Sequence, residues 1–170
     1  MTGTYIQAVT YLTEQNAMKP NARWDIKEHK DKRSLSQNSY YWKLLTEVSR
    51  KKKQSVAYTH NHELREARYA RWVEGEPIRV RIPDTDAAEA QVMEQMDYHL
   101  APTKERDGDK RIYVLLRGSS EFNTAEMSHL LDLLIQDAQA LGIETISPDE
   151  LARIRAYEQG REDARKDKED

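Results

Sequence analysis

The chain has 170 residues, of which 38% are hydrophobic and 34% charged, with a net charge of −3 and no cysteine. This length favours one domain with a core of its own, and the lack of cysteine excludes disulfides and thiolate metal sites. No apolar run approaches the roughly 20 residues of a membrane helix and no signal peptide is recognisable, so we expect a cytoplasmic protein without membrane contact.

The first predicted elements are two strands that form a hairpin. Residues 4–12 and 23–29 are rich in residues that favour strands, and the second segment alternates apolar and polar side chains. The segment between them contains Asn and Pro, which is typical of a turn.

A helix is predicted from Ser34 onwards. Ser34 and Gln37 have the spacing of a capping box. The apolar stripe recurs at helical intervals, with Tyr40 and Trp42 flanking it, and consists of Tyr41, Leu44, Leu45 and Val48. The aromatics are therefore typical either of a core-facing helix or of a surface that stacks on unpaired bases.

Positive charge is concentrated around this helix. Residues 19–53 contain eleven Lys or Arg and four Asp or Glu, a net charge of +7 in a chain whose total is −3. Such a segment can attract the phosphates of a nucleic acid. The basic run 50–53 has a second explanation, because a helix dipole favours cations in the last turn.

The middle of the chain predicts a helix over 60–73, a strand over 78–82 and a helix over 85–99. Residues 60–62 spell HNH, but no ββα pattern surrounds them, so we interpret them as a polar helix start and not as a nuclease core. Asp84, Asp86 and Glu89 could bind Mg²⁺ through their carboxylates. They are equally typical of the first turn of a helix.

The second half has clearer signals. Asp107 and Gly108 indicate a turn before a buried strand over 112–116. The loop that begins at Arg117 could contact a phosphate at the start of the next helix, which spans 124–141 behind an Asn123–Glu126 box. A last helix begins after Ser147, and we expect a frayed, charged tail from Glu158. The sequence thus predicts an α+β fold, a small antiparallel sheet packed with several helices, as one domain over 1–157.

Two blocks of sequence resemble a known family. Residues 33–38, RSLSQN, followed by Trp42, are similar to the signature of NinB/Orf-type phage recombination proteins. The strand, loop and long helix over 112–143 resemble the final strand and helix of that family, in the same order. Residues 54–110 cannot be matched to it.

The resemblance implies a homodimeric mediator in a bacterial host cell, without catalysis, cofactor or metal. It implies binding of single-stranded DNA, of the host single-strand-binding protein and of a phage or host recombinase. Arg33, Gln37, Asn38 and Trp42 occupy its signature positions. With the nearby basic and aromatic residues, the candidate DNA-binding set is Lys32, Arg33, Gln37, Asn38, Tyr40, Trp42, Lys43, Arg50, Lys51, Lys52, Lys53 and Arg117.

Two other functions remain open from the sequence. One is a Mg²⁺-dependent, structure-specific DNA endonuclease that uses Asp84, Asp86 and Glu89. The other is a protein adaptor that binds no DNA and contacts its partner through the helix over 124–141 and the tail.

Overall fold

A computed structural model of the chain describes residues 36–169, and these form an α+β fold. The predicted N-terminal hairpin lies outside the described residues. Within the described range the elements are, in chain order, α1 (Gln37–Lys52), α2 (Val56–Ala67), β1 (Trp72–Val73), β2 (Glu76–Pro77), β3 (Arg79–Pro83), α3 (Asp86–Met93), β4 (His99–Asp107), β5 (Lys110–Leu116), a 3₁₀ turn (Ser119–Glu121), α4 (Thr124–Ala140) and α5 (Pro148–Glu169).

The larger sheet is antiparallel, with the strand order β3–β5–β4. Val80 pairs with Tyr113, and Leu100 pairs with Leu115 across the other edge of β5. The turn between β4 and β5 contains Gly108 at φ +64°, which confirms the turn predicted there. β1 and β2 form a separate two-stranded ribbon.

The main core lies between α1, α2 and α4. The predicted stripe of α1 is confirmed, since Tyr41, Leu44, Leu45 and Val48 are all fully buried. They pack in one cluster with Leu64 of α2 and with Leu130, Leu131 and Leu134 of α4. A smaller cluster joins α3 to the sheet through Val92, Leu100 and Tyr113.

The predicted start of α1 is wrong by two residues. Ser36 is the N-cap, and its hydroxyl accepts from the Ser39 amide at 3.1 Å. Ser34 lies outside the described residues, and the Gln37 side chain is fully buried, with its Oε1 accepting from the Ser128 hydroxyl of α4 at 2.7 Å.

The predicted bounds of α2, residues 60–73, are also wrong, because the helix begins and ends earlier in the chain. The helix begins behind Ser55, which accepts from the Tyr58 amide, and ends at Arg68 in a left-handed conformation at φ +62°. His60 and Asn61 therefore lie in the middle of the helix on its buried side, and not at a polar helix start.

The helix predicted over 85–99 is too long. α3 ends at Met93, Met96 is 45% exposed, and His99 begins β4, whereas Val92 within the helix is buried. Strand β4 was not predicted. The register shift between Pro102 and Arg106 and its charged outer half hide the alternation that indicates a strand.

The last two helices agree more closely with the sequence. α4 has the predicted capping box of Asn123 and Glu126, and α5 begins behind Ser147, whose hydroxyl accepts from the Glu150 amide. The structure continues α5 to Glu169, and the fraying expected from Glu158 stays a prediction. This segment is rich in Arg, Lys, Glu and Ala, which favour helix. No helix of residues 36–169 is long and apolar enough to cross a bilayer.

Candidate nucleic-acid interface

A cavity of about 370 Å³ lies between the first turns of α1 and the segment that joins β5 to α4. Asn38 and Trp42, one helical turn apart, line it from α1. The opposite side comes from the segment after β5, and the complete lining is Asn38, Trp42, Ser119, Ser120, Phe122, Asn123, Thr124, Met127 and Glu158. The first turns of α1 and the segment after β5, far apart in the chain, therefore meet at one cavity.

The indole of Trp42 is held from behind by other rings. Its centroid lies 4.8 Å from that of His60, and it meets Tyr41 edge to face at 5.6 Å. The side chain is half-buried and borders the cavity with its remaining surface. A fixed, partly exposed aromatic ring is what stacking on an unpaired base requires.

Behind Trp42 a chain of buried polar groups joins α1, α2 and β4. The Tyr41 hydroxyl lies 2.8 Å from His60 Nδ1, and the His60 and His99 rings meet edge to face at 5.2 Å. His99 Nδ1 lies 2.8 Å from Asn61 Oδ1, and Asn61 Nδ2 donates to the carbonyl of Gln95 at 2.6 Å. The sequence offered a weak indication of this cluster, because His60 shares the buried face of Leu64 at a spacing of four residues.

Burial keeps both histidines neutral. It lowers the pKa of His60 to about 4, with the neighbouring His99 adding to the effect, and it also lowers the pKa of His99. Neutral imidazoles can hydrogen-bond in the core without a buried charge. These two rings are thus suited to supporting the site, and neither offers a positive charge at neutral pH.

Gly118 brings the loop after β5 close to this cluster. A Cβ atom at this position would lie 3.3 Å from His99 Nε2, tighter than ordinary contact. Glycine therefore permits the backbone to approach the imidazole, and this approach positions Ser119 and Ser120 at the cavity.

Arg117 anchors the loop instead of presenting a free charge. Its guanidinium bonds the Glu126 carboxylate and lies 5.6 Å from the Tyr69 ring centroid and 5.5 Å from that of Phe122. Asn123 and Glu126 already cap the start of α4. One side of the Arg117 guanidinium is thus paired with Glu126 within the chain, and the phosphate contact stays a prediction.

Two residues of the predicted DNA-binding set, both on α1, are buried and so are not available to DNA in this structure. Gln37 is fully buried and bonds Ser128. Tyr40 is 3% exposed, and its hydroxyl accepts from the Ile146 amide at 3.0 Å. The segment 141–147 packs against this side of α1, so the helix buries a wider face than its apolar stripe indicated.

The predicted basic residues divide into three groups. Lys43, Arg50, Lys51 and Lys53 are exposed, whereas Lys52 Nζ lies 2.5 Å from Asp137 Oδ2. Lys32 and Arg33 lie outside the described residues. Lys43 and Arg50, seven residues apart, lie on one exposed face of α1.

Two of the three carboxylates proposed for a Mg²⁺-dependent endonuclease are engaged elsewhere. Asp84 accepts from Arg106 at 2.5 Å, and Glu89 accepts from Arg65 and from the Tyr113 hydroxyl, each at 2.5 Å. Over residues 36–169, Asp84, Asp86 and Glu89 do not form a group with metal-binding spacing. This arrangement gives no support to a metal-dependent active site there.

The structure also gives no support to the hypothesis of a protein adaptor that binds through the apolar side of α4. The apolar side of α4 is already covered, since Met127, Leu130, Leu131 and Leu134 are buried in the main core. That face of the helix is not available to a partner protein in this fold.

No family model, curated protein or solved structure matches this chain.

Proposed function

We propose that this chain is a phage recombination mediator that binds single-stranded DNA and holds an unpaired base in the cavity between α1 and the loop after β5. One observation carries the proposal: Asn38 and Trp42, from the first family-like block, line the same cavity as Ser119, Ser120, Phe122, Asn123 and Thr124 from the second. Two blocks that are far apart in the chain are expected to converge in space where they share one binding site.

The lining chemistry suits a base more than a phosphate. Trp42 offers an aromatic face, while the Asn38 amide and the hydroxyls of Ser119 and Ser120 offer donors and acceptors to a base edge. A base already stacked and paired in a duplex cannot enter such a cavity. The proposal therefore includes a preference for single strands over duplex DNA.

Phosphate contacts belong outside the cavity. Its lining contains no Lys or Arg among the described residues, and the Glu158 carboxylate is acidic. Lys43 and Arg50 continue from Trp42 along α1, and Arg50 is eight residues, or about 12 Å, further along the axis. A strand with one base against Trp42 can follow this helix and place its phosphates near these two cations.

The biological role is supported by the resemblance to NinB/Orf-type proteins. It includes a homodimer, binding of the host single-strand-binding protein, and assistance in loading a phage or host recombinase. A pull-down with the purified single-strand-binding protein, without DNA, tests the partner. Stimulation of recombinase filament assembly on coated strands tests the mediator role.

Fluorescence anisotropy with labelled oligonucleotides tests the DNA-binding proposal. We expect the full chain to bind a single strand more tightly than the matching duplex at low salt, and Trp42→Ala to weaken that binding at least about fivefold. The matched control is Trp72→Ala, because Trp72 is 61% exposed and does not line the cavity.

Equal affinity for single-stranded and duplex DNA would contradict the proposal. Equal effects of Trp42→Ala and Trp72→Ala would contradict the assignment of the cavity. Circular dichroism and thermal unfolding of both variants would show that each retains the fold.

A further inference from the structure

Three potential metal ligands lie together where α2 meets α4. His62 and Glu63 are adjacent on α2, and Asp137 is on α4. One ligand atom from each side chain, a ring nitrogen or a carboxylate oxygen, lies within 4.8 Å of the other two. Among the described residues 36–169, no other group of three potential metal-ligating side chains has this spacing.

Glu63 gives this group an unusual property. Its side chain is 2% exposed, and its buried Oε1 has no hydrogen-bond partner. The nearest cationic candidate, His62 Nδ1, lies 3.8 Å away, beyond hydrogen-bond distance. A buried carboxylate oxygen without a hydrogen-bond donor is costly to maintain, so this oxygen indicates a ligand.

The nearby ammonium group of Lys52 does not offset the free-energy cost of burying Glu63 Oε1. Lys52 Nζ bonds Asp137 Oδ2 at 2.5 Å and makes no hydrogen bond to Glu63 Oε1. The site thus has two carboxylates, one of them neutralised by a lysine that a stronger cation can displace.

We propose that His62, Glu63 and Asp137 bind one divalent transition-metal ion of the Zn²⁺ class. One imidazole nitrogen and two carboxylate oxygens are a ligand set that Zn²⁺ accepts, with a fourth position left for water. The nitrogen ligand disfavours Mg²⁺, which prefers oxygen ligands in octahedral geometry. This site is separate in its residues from the proposed DNA cavity and does not depend on that function.

The geometry allows the ligands to close on an ion. Zn²⁺ bonds of about 2.0–2.2 Å require ligand atoms about 3.5 Å apart from one another. The three ligand atoms now lie within 4.8 Å of one another, so they would move somewhat closer together. The side chains of His62 and Asp137 are 46% and 36% exposed, so both have room to rotate towards the fixed, buried Glu63. Binding would release Lys52 from Asp137.

Isothermal titration of the full chain with ZnCl₂, and separately with MgCl₂, tests the proposal. We expect one saturable Zn²⁺ site per chain and no comparable Mg²⁺ binding. Glu63→Gln, His62→Gln and Asp137→Asn should each weaken Zn²⁺ binding at least tenfold. Lys52→Met should strengthen it, because the competing ammonium group is removed.

Glu66→Gln is the matched control, since Glu66 is an exposed carboxylate on the same helix. Zn²⁺ should also raise the melting temperature of the native chain and of Glu66→Gln, and leave that of His62→Gln unchanged. His62→Gln alters an exposed side chain, so it keeps the test valid if Glu63→Gln fails to fold.

Absence of Zn²⁺ binding would overturn the proposal, and so would Mg²⁺ binding of equal or greater strength. Zn²⁺ binding that persists unchanged in His62→Gln and Asp137→Asn would also overturn it, because the ion would then lie elsewhere. Weaker binding in Lys52→Met would show that the lysine supports the ion site and does not compete for it, against the proposed displacement.

Discussion

The Tyr41 hydroxyl lies 2.8 Å from His60 Nδ1, and both side chains are almost completely buried behind Trp42. Burial raises the pKa of the Tyr41 phenol, which therefore keeps its proton and can donate it to the neutral imidazole. This bond joins α1 to α2 at the point where the Trp42 indole rests on His60. The stability of the fold and the shape of the candidate cavity are consequently linked.

Tyr41→Phe should lower the free energy of unfolding by about 1–3 kcal/mol. The substitution leaves His60 Nδ1 buried without its partner, and an unsatisfied buried group costs about that amount. Urea denaturation measures the effect. Tyr69→Phe is the control, because the Tyr69 hydroxyl bonds the exposed His129 at 2.9 Å, and its loss should cost much less. Equal losses in the two variants would contradict this account.

Stability should fall as the pH decreases from about 6.5 towards 4. The folded state holds the pKa of His60 at about 4, below the usual 6.5, so the unfolded chain binds the proton first in this range. His60 stabilises the folded state fully above pH 6.5, and this contribution is lost as the pH falls. At about 1.4 kcal/mol per pKa unit, the loss approaches about 3 kcal/mol.

Urea denaturation at pH 7, 6, 5 and 4.5 would measure this dependence. His60→Gln removes the titrating ring while keeping a polar side chain, so its unfolding free energy should depend less steeply on pH. Parallel curves for the native chain and His60→Gln would show that other groups cause the dependence.

Substitutions of the neighbouring residues Gln37 and Asn38 should distinguish a residue that stabilises the fold from a residue that binds DNA. Gln37→Ala should lower the free energy of unfolding by about 1–2 kcal/mol, because it leaves a cavity in the interior and removes the hydrogen bond to Ser128. This loss is expected even though Gln37 Nε2 has no hydrogen-bond partner. Its affinity for single-stranded DNA should not change. Asn38→Ala should leave stability unchanged and weaken DNA binding about three- to tenfold. The opposite pattern would place Gln37 in the interface.

Glu158→Gln should increase the affinity for single-stranded DNA about two- to fivefold. The carboxylate lines the cavity and repels a phosphate that passes nearby. The amide of glutamine can still accept from the Gln37 N–H, which now donates to Glu158 Oε1 at 2.9 Å, so the fold should be kept. Glu105→Gln changes the net charge equally but lies on β4, and it should have less effect in the same anisotropy assay. Equal effects would indicate a response to net charge alone.

The salt dependence of DNA binding should reveal the phosphate contacts. Each contact on a single strand contributes about 0.7 to the slope of log affinity against log salt. Lys43→Ala and Arg50→Ala should each reduce the slope by about that amount, whereas Trp42→Ala should lower affinity with little change in slope. A slope that the two basic substitutions leave unchanged would place the phosphates on another surface.

The long helix α4 could be predicted almost completely from the sequence. Its apolar residues recur at helical intervals, and its cap is a local contact between Asn123 and Glu126. Gly142, at φ +69°, has the conformation expected behind a helix end. Each of these properties depends on residues close together in the chain, which is why the pattern sufficed.

Strand β4 and the start of α1 could not be predicted in this way. β4 is held by its pairing with β5, and its Pro102 and charged end weaken the alternation. α1 begins behind Ser36, whose hydroxyl accepts from the Ser39 amide, while the Gln37 side chain bonds Ser128, 91 residues later in the chain. Contacts between distant segments fixed β4 and the burial of Gln37.

By itself the sequence determined the α+β class and the main apolar stripes. These depend on the order and spacing of neighbouring residues. Tertiary structure alone decided which polar residues are buried: it placed Tyr40 and Gln37 in the interior, paired Arg117 and Lys52 with carboxylates, and brought Trp42 to a cavity. Burial and charge pairing depend on what distant segments place beside a side chain, and a linear pattern does not contain that information.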